Sequence, residues 1–124
     1  MNMSQYPAAI AQAAQTVNDL DSQIQAVQLN IHRLEASIDK QIAFDSELKN
    51  DSQRKARRFE LLEVNLEYQH ALNTIMRLTN QKANAVANLE YLRNQFSVAK
   101  LEARLAIARQ LNGSDIGDLL LGVS

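Results

Sequence analysis

The chain has 124 residues, enough for one domain, and a formal net charge of −1. It contains no cysteine, three glycines and one proline, which excludes disulfide scaffolds, cysteine-based zinc sites and thiol catalysis. Aromatic residues make up only 5%, while Ala, Leu, Gln, Asn, Arg and Glu dominate, so the composition predicts an all-α fold.

The start of the chain contains Ala11-Gln12-Ala13, which loosely resembles a signal-peptide cleavage site, but it lacks a signal peptide's hydrophobic core. Residues 1–15 are rich in alanine, but no basic residue precedes that run. Apolar stretches elsewhere are a few residues long, far below the ~20 that span a bilayer. We therefore expect a cytoplasmic protein with no membrane segment.

The stretch 8–112 contains neither glycine nor proline and predicts almost continuous helix. A single rod of that length would measure about 158 Å at 1.5 Å per residue, so we expect a turn. The weakest helical stretch is Lys49–Ser52, because its short polar side chains compete with the helical backbone and can cap the next helix. We predict helix one over about 7–49, a turn at 50–52, helix two over about 53–112 and a tail over 113–124.

Apolar residues recur at alternating spacings of three and four in both predicted helices, which is the heptad seam of a coiled coil. The first seam is Ile10, Ala13, Val17, Leu20, Ile24, Val27, Ile31, Leu34 and Ile38. The second is Leu61, Val64, Tyr68, Ala71, Ile75, Leu78, Lys82, Ala85, Leu89, Leu92, Phe96, Ala99, Ala103 and Ala106. If the chain folds back about Asp51, residues whose numbers add to 102 face each other and seam positions meet seam positions. This register, which also sets Tyr6 opposite Phe96, predicts an antiparallel two-helix coiled-coil hairpin.

Charge favours the same pairing. Residues 1–53 have three basic and seven acidic side chains, net −4, whereas residues 54–112 have ten basic and five acidic, net +5. Opposite charges beside a coiled-coil seam set partner choice and orientation, although an exposed pair adds only ~0 to 1 kcal/mol.

The turn end has more apolar side chains than a two-helix seam can bury. A wider apolar face predicts further helices packed on it, and a homodimer forming a four-helix bundle is the simplest source. The predicted dimer interface consists of Ile42, Phe44, Leu48, Phe59, Leu62 and Leu66.

The C-terminal part of helix two extends past its predicted partner. Leu101, Leu105, Ile107 and Leu111 have no partner in the hairpin except the tail, which is acidic and hydrophobic. The tail either folds back over these residues or serves as a docking segment for another protein. Its candidate docking residues are Ile116, Leu119, Leu120 and Leu121.

The basic run of the chain is Arg54, Lys55, Arg57 and Arg58, near the start of helix two. Cations at a helix N-terminus oppose the helix dipole, which suggests a contact with an anion or a partner subunit. Phosphates are one such anion, so a nucleic-acid-associated dimer is the alternative function. The chain's isoelectric point of about 6.1 and the lack of a helix-turn-helix or zinc motif argue against it. We expect Asp45, Glu47 and Asp51 to neutralise part of the run.

Two further features are a group of potential metal ligands and a lysine at a seam position. His32, Glu35, Glu67 and His70 fall opposite each other in the hairpin, and Glu67 to His70 has the Glu-x-x-His spacing of di-iron bundles. These residues flank the seam instead of entering it, so we predict no metal site and no cofactor. Lys82 occupies a seam position, where we expect its amine to reach Asp19 or Asp21 and to fix the register.

No phosphate-binding loop, nucleophile elbow or convergent carboxylate pair is present in the sequence. The predicted function is therefore a non-enzymatic adaptor, assembly or regulatory subunit. It would present coiled-coil surface to a protein partner, with a second copy of itself as one partner.

Overall fold

The computed structural model describes residues 1–113, and all the regular structure in that part of the chain is helical. A 3-10 turn at Met3–Gln5 leads into α1 (Tyr6–Ala43), which is followed by α2 (Asp51–Val64) and α3 (Leu66–Gly113). The predicted all-α class is confirmed. None of these helices combines the length with the hydropathy that a membrane crossing requires.

The described residues divide into two units. Among the described residues, Met1–Ala14 packs with residues 86–113, and Gln15–Ala85 forms the second unit. The first unit thus joins the start of α1 to the C-terminal part of α3. The second holds the rest of both long helices together with α2.

The first helix ends at Ala43, six residues before the predicted end at about 49. Asp45 lies just after the end of the helix. Its carboxylate accepts a hydrogen bond from the Glu47 N–H at 2.9 Å, and its own N–H donates to the Ile42 carbonyl at 3.1 Å. A short carboxylate that bonds the backbone two residues onward competes with helix continuation. The prediction was wrong here because it placed the turn chemistry only at Asn50–Ser52.

The N-terminus of α2 is capped by a short polar side chain, as the sequence predicts for the stretch Lys49–Ser52. Asn50 is extended, with φ −145° and ψ 171°, and its side chain accepts the Gln53 N–H at 2.9 Å. The Gln53 side chain in turn accepts the Lys49 N–H at 2.6 Å. Two backbone donors that the helix itself leaves unpaired are thereby satisfied.

The predicted second helix is two helices, because Asn65 interrupts it. Asn65 has extended backbone, φ −77° and ψ 107°, and its N–H bonds the Leu62 carbonyl at 3.3 Å. Its side chain accepts the Tyr68 N–H at 2.8 Å. One asparagine therefore ends α2 and caps α3. Asparagine is well suited to the second task because its carbonyl oxygen reaches the free N–H groups of the first turn.

One hydrophobic cluster of the second unit lies where α2 packs on the end of α1. Ile38, Ile42 and Leu62 are buried together, and Leu48, Leu61 and Tyr68 pack against them. Val64 is 73% exposed, so its predicted pairing with Ile38 in the seam is wrong. The extended Asn65 breaks the 3.6-residue period, and Leu62 takes the inward position on α2.

Packing in the first unit centres on Tyr6, Ala13 and Leu89, which are buried. The rings of Tyr6 and Phe96 stack with their centroids 5.4 Å apart and an interplanar angle of 16°. The Lys100 ammonium lies 4.5 Å from the centroid of the Phe96 ring. The predicted contact between Tyr6 and Phe96 is present, and the lysine adds a cation–π interaction to it.

Candidate interaction surface

Large apolar side chains point outward on both sides of the Asn65 break. Phe59, Val64 and Leu66 are between 66% and 84% exposed, and we call these three residues the junction surface. The 3.6-residue period that would turn Val64 inward stops at Asn65. The break that ends α2 thus leaves Val64 in water.

A groove of about 340 Å³ lies at the same junction. It is lined by Phe59, Leu62, Glu63, Tyr68, Gln69 and Leu72. The Gln69 amide crosses the break and donates to the Leu62 carbonyl at 3.2 Å, which satisfies a carbonyl at the end of α2. The groove is therefore mainly apolar, with one amide and one carboxylate among its lining residues.

The six residues predicted for a dimer interface divide into two groups. Ile42 and Leu62 are buried within the chain's own core, and Leu48 packs against that core. Phe44, Phe59 and Leu66 are exposed. Since buried side chains cannot contact a second copy, only the exposed group remains available for an interface.

Three of the four cations in the basic run have acidic partners within the chain. Arg54 pairs with Asp51 at 3.1 Å and Arg57 with Glu60 at 3.2 Å, both one helical turn apart on α2. Asp51 was an expected partner. Asp45 and Glu47, the other two expected partners, form no ion pair within residues 1–113.

Arg58 joins α2 to α1. Its Nε lies 2.6 Å from the Asp39 carboxylate and its Nη2 lies 3.2 Å from the Glu35 carboxylate. The hydrogen bond to Asp39 raises the pKa of the Arg58 guanidinium, against an opposing effect of burial. Arg58 therefore stays charged and holds the two helices together. The contact of Arg58 with an external anion or a partner subunit stays a prediction, since the carboxylates that it binds here belong to its own chain.

Lys82 lies on α3 in the second unit, and its ammonium is 2.6 Å from the Asp21 carboxylate of α1. Both side chains are partly exposed, as expected for an amine that extends from a seam position to solvent. Asp21 is thus the partner, and Asp19 instead accepts a hydrogen bond from the Gln15 amide at 2.8 Å.

A second groove has a volume of about 470 Å³. It is lined by Thr16, Asp19, Leu20, Gln23, Gln81, Asn84 and Ala85, all of which belong to the second unit. Asp19 is the one ionisable side chain among these lining residues. The other lining side chains are hydroxyl, amide or apolar groups.

His32, Glu35, Glu67 and His70 are not brought together as a cluster of ligand side chains. Within residues 1–113, no group of three or more potential ligand side chains is placed to hold an ion. Glu35 bonds Arg58, and the other three are exposed.

The C-terminal part of α3 is exposed throughout residues 104–112. Its exposed apolar side chains include Leu105, Ile107 and Leu111, with Leu101 just before them. These positions were predicted to lack a partner in the hairpin. The candidate docking residues Ile116, Leu119, Leu120 and Leu121 lie outside the described residues.

Comparison with known proteins adds no relative: no family model, no curated protein and no solved structure matches this chain.

Proposed function

We propose that this chain is a non-enzymatic, cytoplasmic interaction protein that presents helical surface to a protein partner, as an adaptor or assembly subunit. The observation that carries the proposal is the junction surface, where Phe59, Val64 and Leu66 lie in water. Each Å² of apolar surface left in water forgoes about 25 cal/mol of burial free energy. Exposed apolar patches beside a groove are typical of protein-binding sites.

We further propose that α1 and α3 pair as an antiparallel coiled-coil hairpin. Two contacts support this pairing, one within each unit. Tyr6 stacks on Phe96 in the first unit, and Asp21 binds Lys82 in the second. Their residue numbers add to 102 and 103, so the first pair equals the register that the heptad pattern predicts and the second lies within one residue of it.

Self-association is part of the same proposal. Two copies that meet through Phe44, Phe59 and Leu66 would bury these side chains and bring two helical pairs into a four-helix bundle. The exposed residues Leu101, Leu105, Ile107 and Leu111 at the end of α3 offer a second surface for a different protein partner.

Sedimentation of the full chain tests this proposal. We expect wild-type protein to dimerise at micromolar concentration, and Leu66→Glu to shift the equilibrium toward monomer without loss of helicity. Leu66 is 84% exposed, so its replacement leaves the chain's own core intact. Leu62 would be a poor choice for this test because it is buried in that core.

Leu29→Glu is the matched control, because Leu29 is also exposed, at 52%, but lies on α1 away from the junction residues in sequence. It should dimerise like wild type. A wild-type chain that remains monomeric at high micromolar concentration would contradict the self-association part of the proposal.

A further inference from the structure

The charged residues of α2 are almost all paired within the chain. Asp51 binds Arg54, Arg57 binds Glu60, and Arg58 binds two carboxylates of α1. The two charged residues of α2 that form no ion pair within residues 1–113 are Lys55 and Glu63. Both side chains are exposed.

These two residues lie at equal distances from Phe59, four positions before it and four after it. Residues four apart on a helix occupy the same face, so Lys55, Phe59 and Glu63 form one row about 12 Å long. We call this row the α2 stripe. Phe59 and Glu63 line the same groove as Leu62, so the α2 stripe lies next to the face of α2 that buries Leu62 against α1.

We propose that the α2 stripe binds the α2 stripe of a second copy, antiparallel, about a two-fold axis at Phe59. This inference rests on the proposed self-association and specifies the contact that Phe59 makes in it. About such an axis, residues whose numbers add to 118 lie level with each other, so Lys55 of each copy meets Glu63 of the other. A parallel arrangement would set Lys55 against Lys55 and Glu63 against Glu63.

Phe59 supplies the apolar centre of this contact. Two phenyl rings that meet on the axis leave water together, while the charged pairs at either end fix the orientation. α2 has only 14 residues, so the contact is small and we expect a reversible dimer instead of a permanent one.

Charge exchange tests the pairing directly in the full chain. Lys55→Glu and Glu63→Lys should each weaken dimerisation about tenfold, because each creates two like-charge contacts in place of two ion pairs. An equimolar mixture of the two variants should form heterodimers with wild-type affinity, measured by native mass spectrometry and sedimentation. The chain that carries both Lys55→Glu and Glu63→Lys should also dimerise with wild-type affinity.

Residues 55 and 63 of one chain are about 12 Å apart along the helix, so they do not contact each other. Dimer affinity that returns in the mixture therefore comes from contacts between residues 55 and 63 of different chains. Single variants that dimerise like wild type, or a mixture that fails to recover, would overturn the antiparallel pairing while leaving self-association in place. A monomeric wild-type chain would overturn both.

Cross-linking gives an independent measurement, since the chain has no cysteine of its own. Helix axes about 8–10 Å apart bring the two copies of residue 59 within disulfide reach. We expect Phe59→Cys to form a covalent dimer under mild oxidation, and Leu29→Cys to remain monomeric under the same conditions. Equal cross-linking of both variants would contradict the interface.

Discussion

Lys82 places an ammonium group at a heptad position where an apolar side chain would pack against α1. Its ion pair with Asp21 is partly exposed, and such pairs contribute little to stability. We predict that Lys82→Leu raises the free energy of unfolding by about 1 kcal/mol, because the leucine buries more apolar surface than the lysine stem. Urea unfolding followed by circular dichroism measures the change.

Arg77→Leu is the control for this prediction, because Arg77 is exposed on the same helix and its replacement buries little. It should leave the unfolding midpoint almost unchanged. A loss of stability in Lys82→Leu would mean that the ion pair stabilises the fold more than apolar packing does.

The ion pair of Lys82 was predicted from the sequence in part: the kind of contact was predicted, but the exact partner was not. The heptad position predicted a lysine that reaches a carboxylate of α1, and the ion pair confirms this. The heptad position did not decide whether Asp19 or Asp21 is the partner, because both lie within reach of a flexible lysine side chain. Local hydrogen bonding distinguishes them, since the Gln15 amide bonds Asp19 and Lys82 bonds Asp21.

At the scale of the helices, Asn65 is the residue that shapes the junction. We predict that Asn65→Ala lowers the free energy of unfolding by about 1 kcal/mol, because the N-terminus of α3 loses the side-chain acceptor for the Tyr68 N–H. Asn65→Asp keeps an oxygen acceptor and should retain most of the stability. Both are measured by urea unfolding.

Asn73→Ala provides the comparison, since Asn73 is exposed within α3 and alanine has the higher helix propensity. It should be neutral or slightly stabilising. If Asn65→Ala were equally neutral, the cap would contribute nothing and α2 and α3 would behave as one helix.

The heptad pattern predicted the inward face of α3 well. Its seam residues from Tyr68 to Ala103 are buried or half-buried, with Ala71, Leu78 and Leu89 the most buried. The pattern failed at the helix ends near Asp45 and Asn65. There, single side-chain hydrogen bonds to the backbone outweigh the propensity of the surrounding residues, and an apolar period contains no information about them.

This failure also explains the outcome for the candidate interface. The apolar excess at the turn end was visible in the sequence, but which residues faced outward depended on the Asn65 break. Leu62 was predicted at an interface and is core, whereas Val64 was predicted in the core and is exposed. An asparagine followed by an acidic residue, here Glu67, is the sequence signal that could have located the cap.

For the whole molecule, net charge and charge placement decide between the adaptor and the nucleic-acid function. The first 53 residues are acidic and residues 54–112 are basic, and ion pairs join the two in the second unit through Arg58 and Lys82. Positive charge that binds carboxylates within the chain is less available to phosphates.

The basic run provides the test at this scale. A protein that neutralises phosphates releases counterions, so its affinity for a duplex falls steeply as salt rises. Arg54, Arg57 and Arg58 already have acidic partners, which leaves Lys55 as the cation of the run without one within residues 1–113.

We predict negligible binding of the full chain to DNA or RNA duplexes at physiological salt, measured by fluorescence anisotropy. The joint replacement of the four cations by Gln should then change nothing in that assay. Micromolar or tighter binding that this variant abolishes while it keeps the helicity of wild type would instead favour the nucleic-acid function, since a loss of binding without a loss of fold points to phosphate contacts made by the run itself.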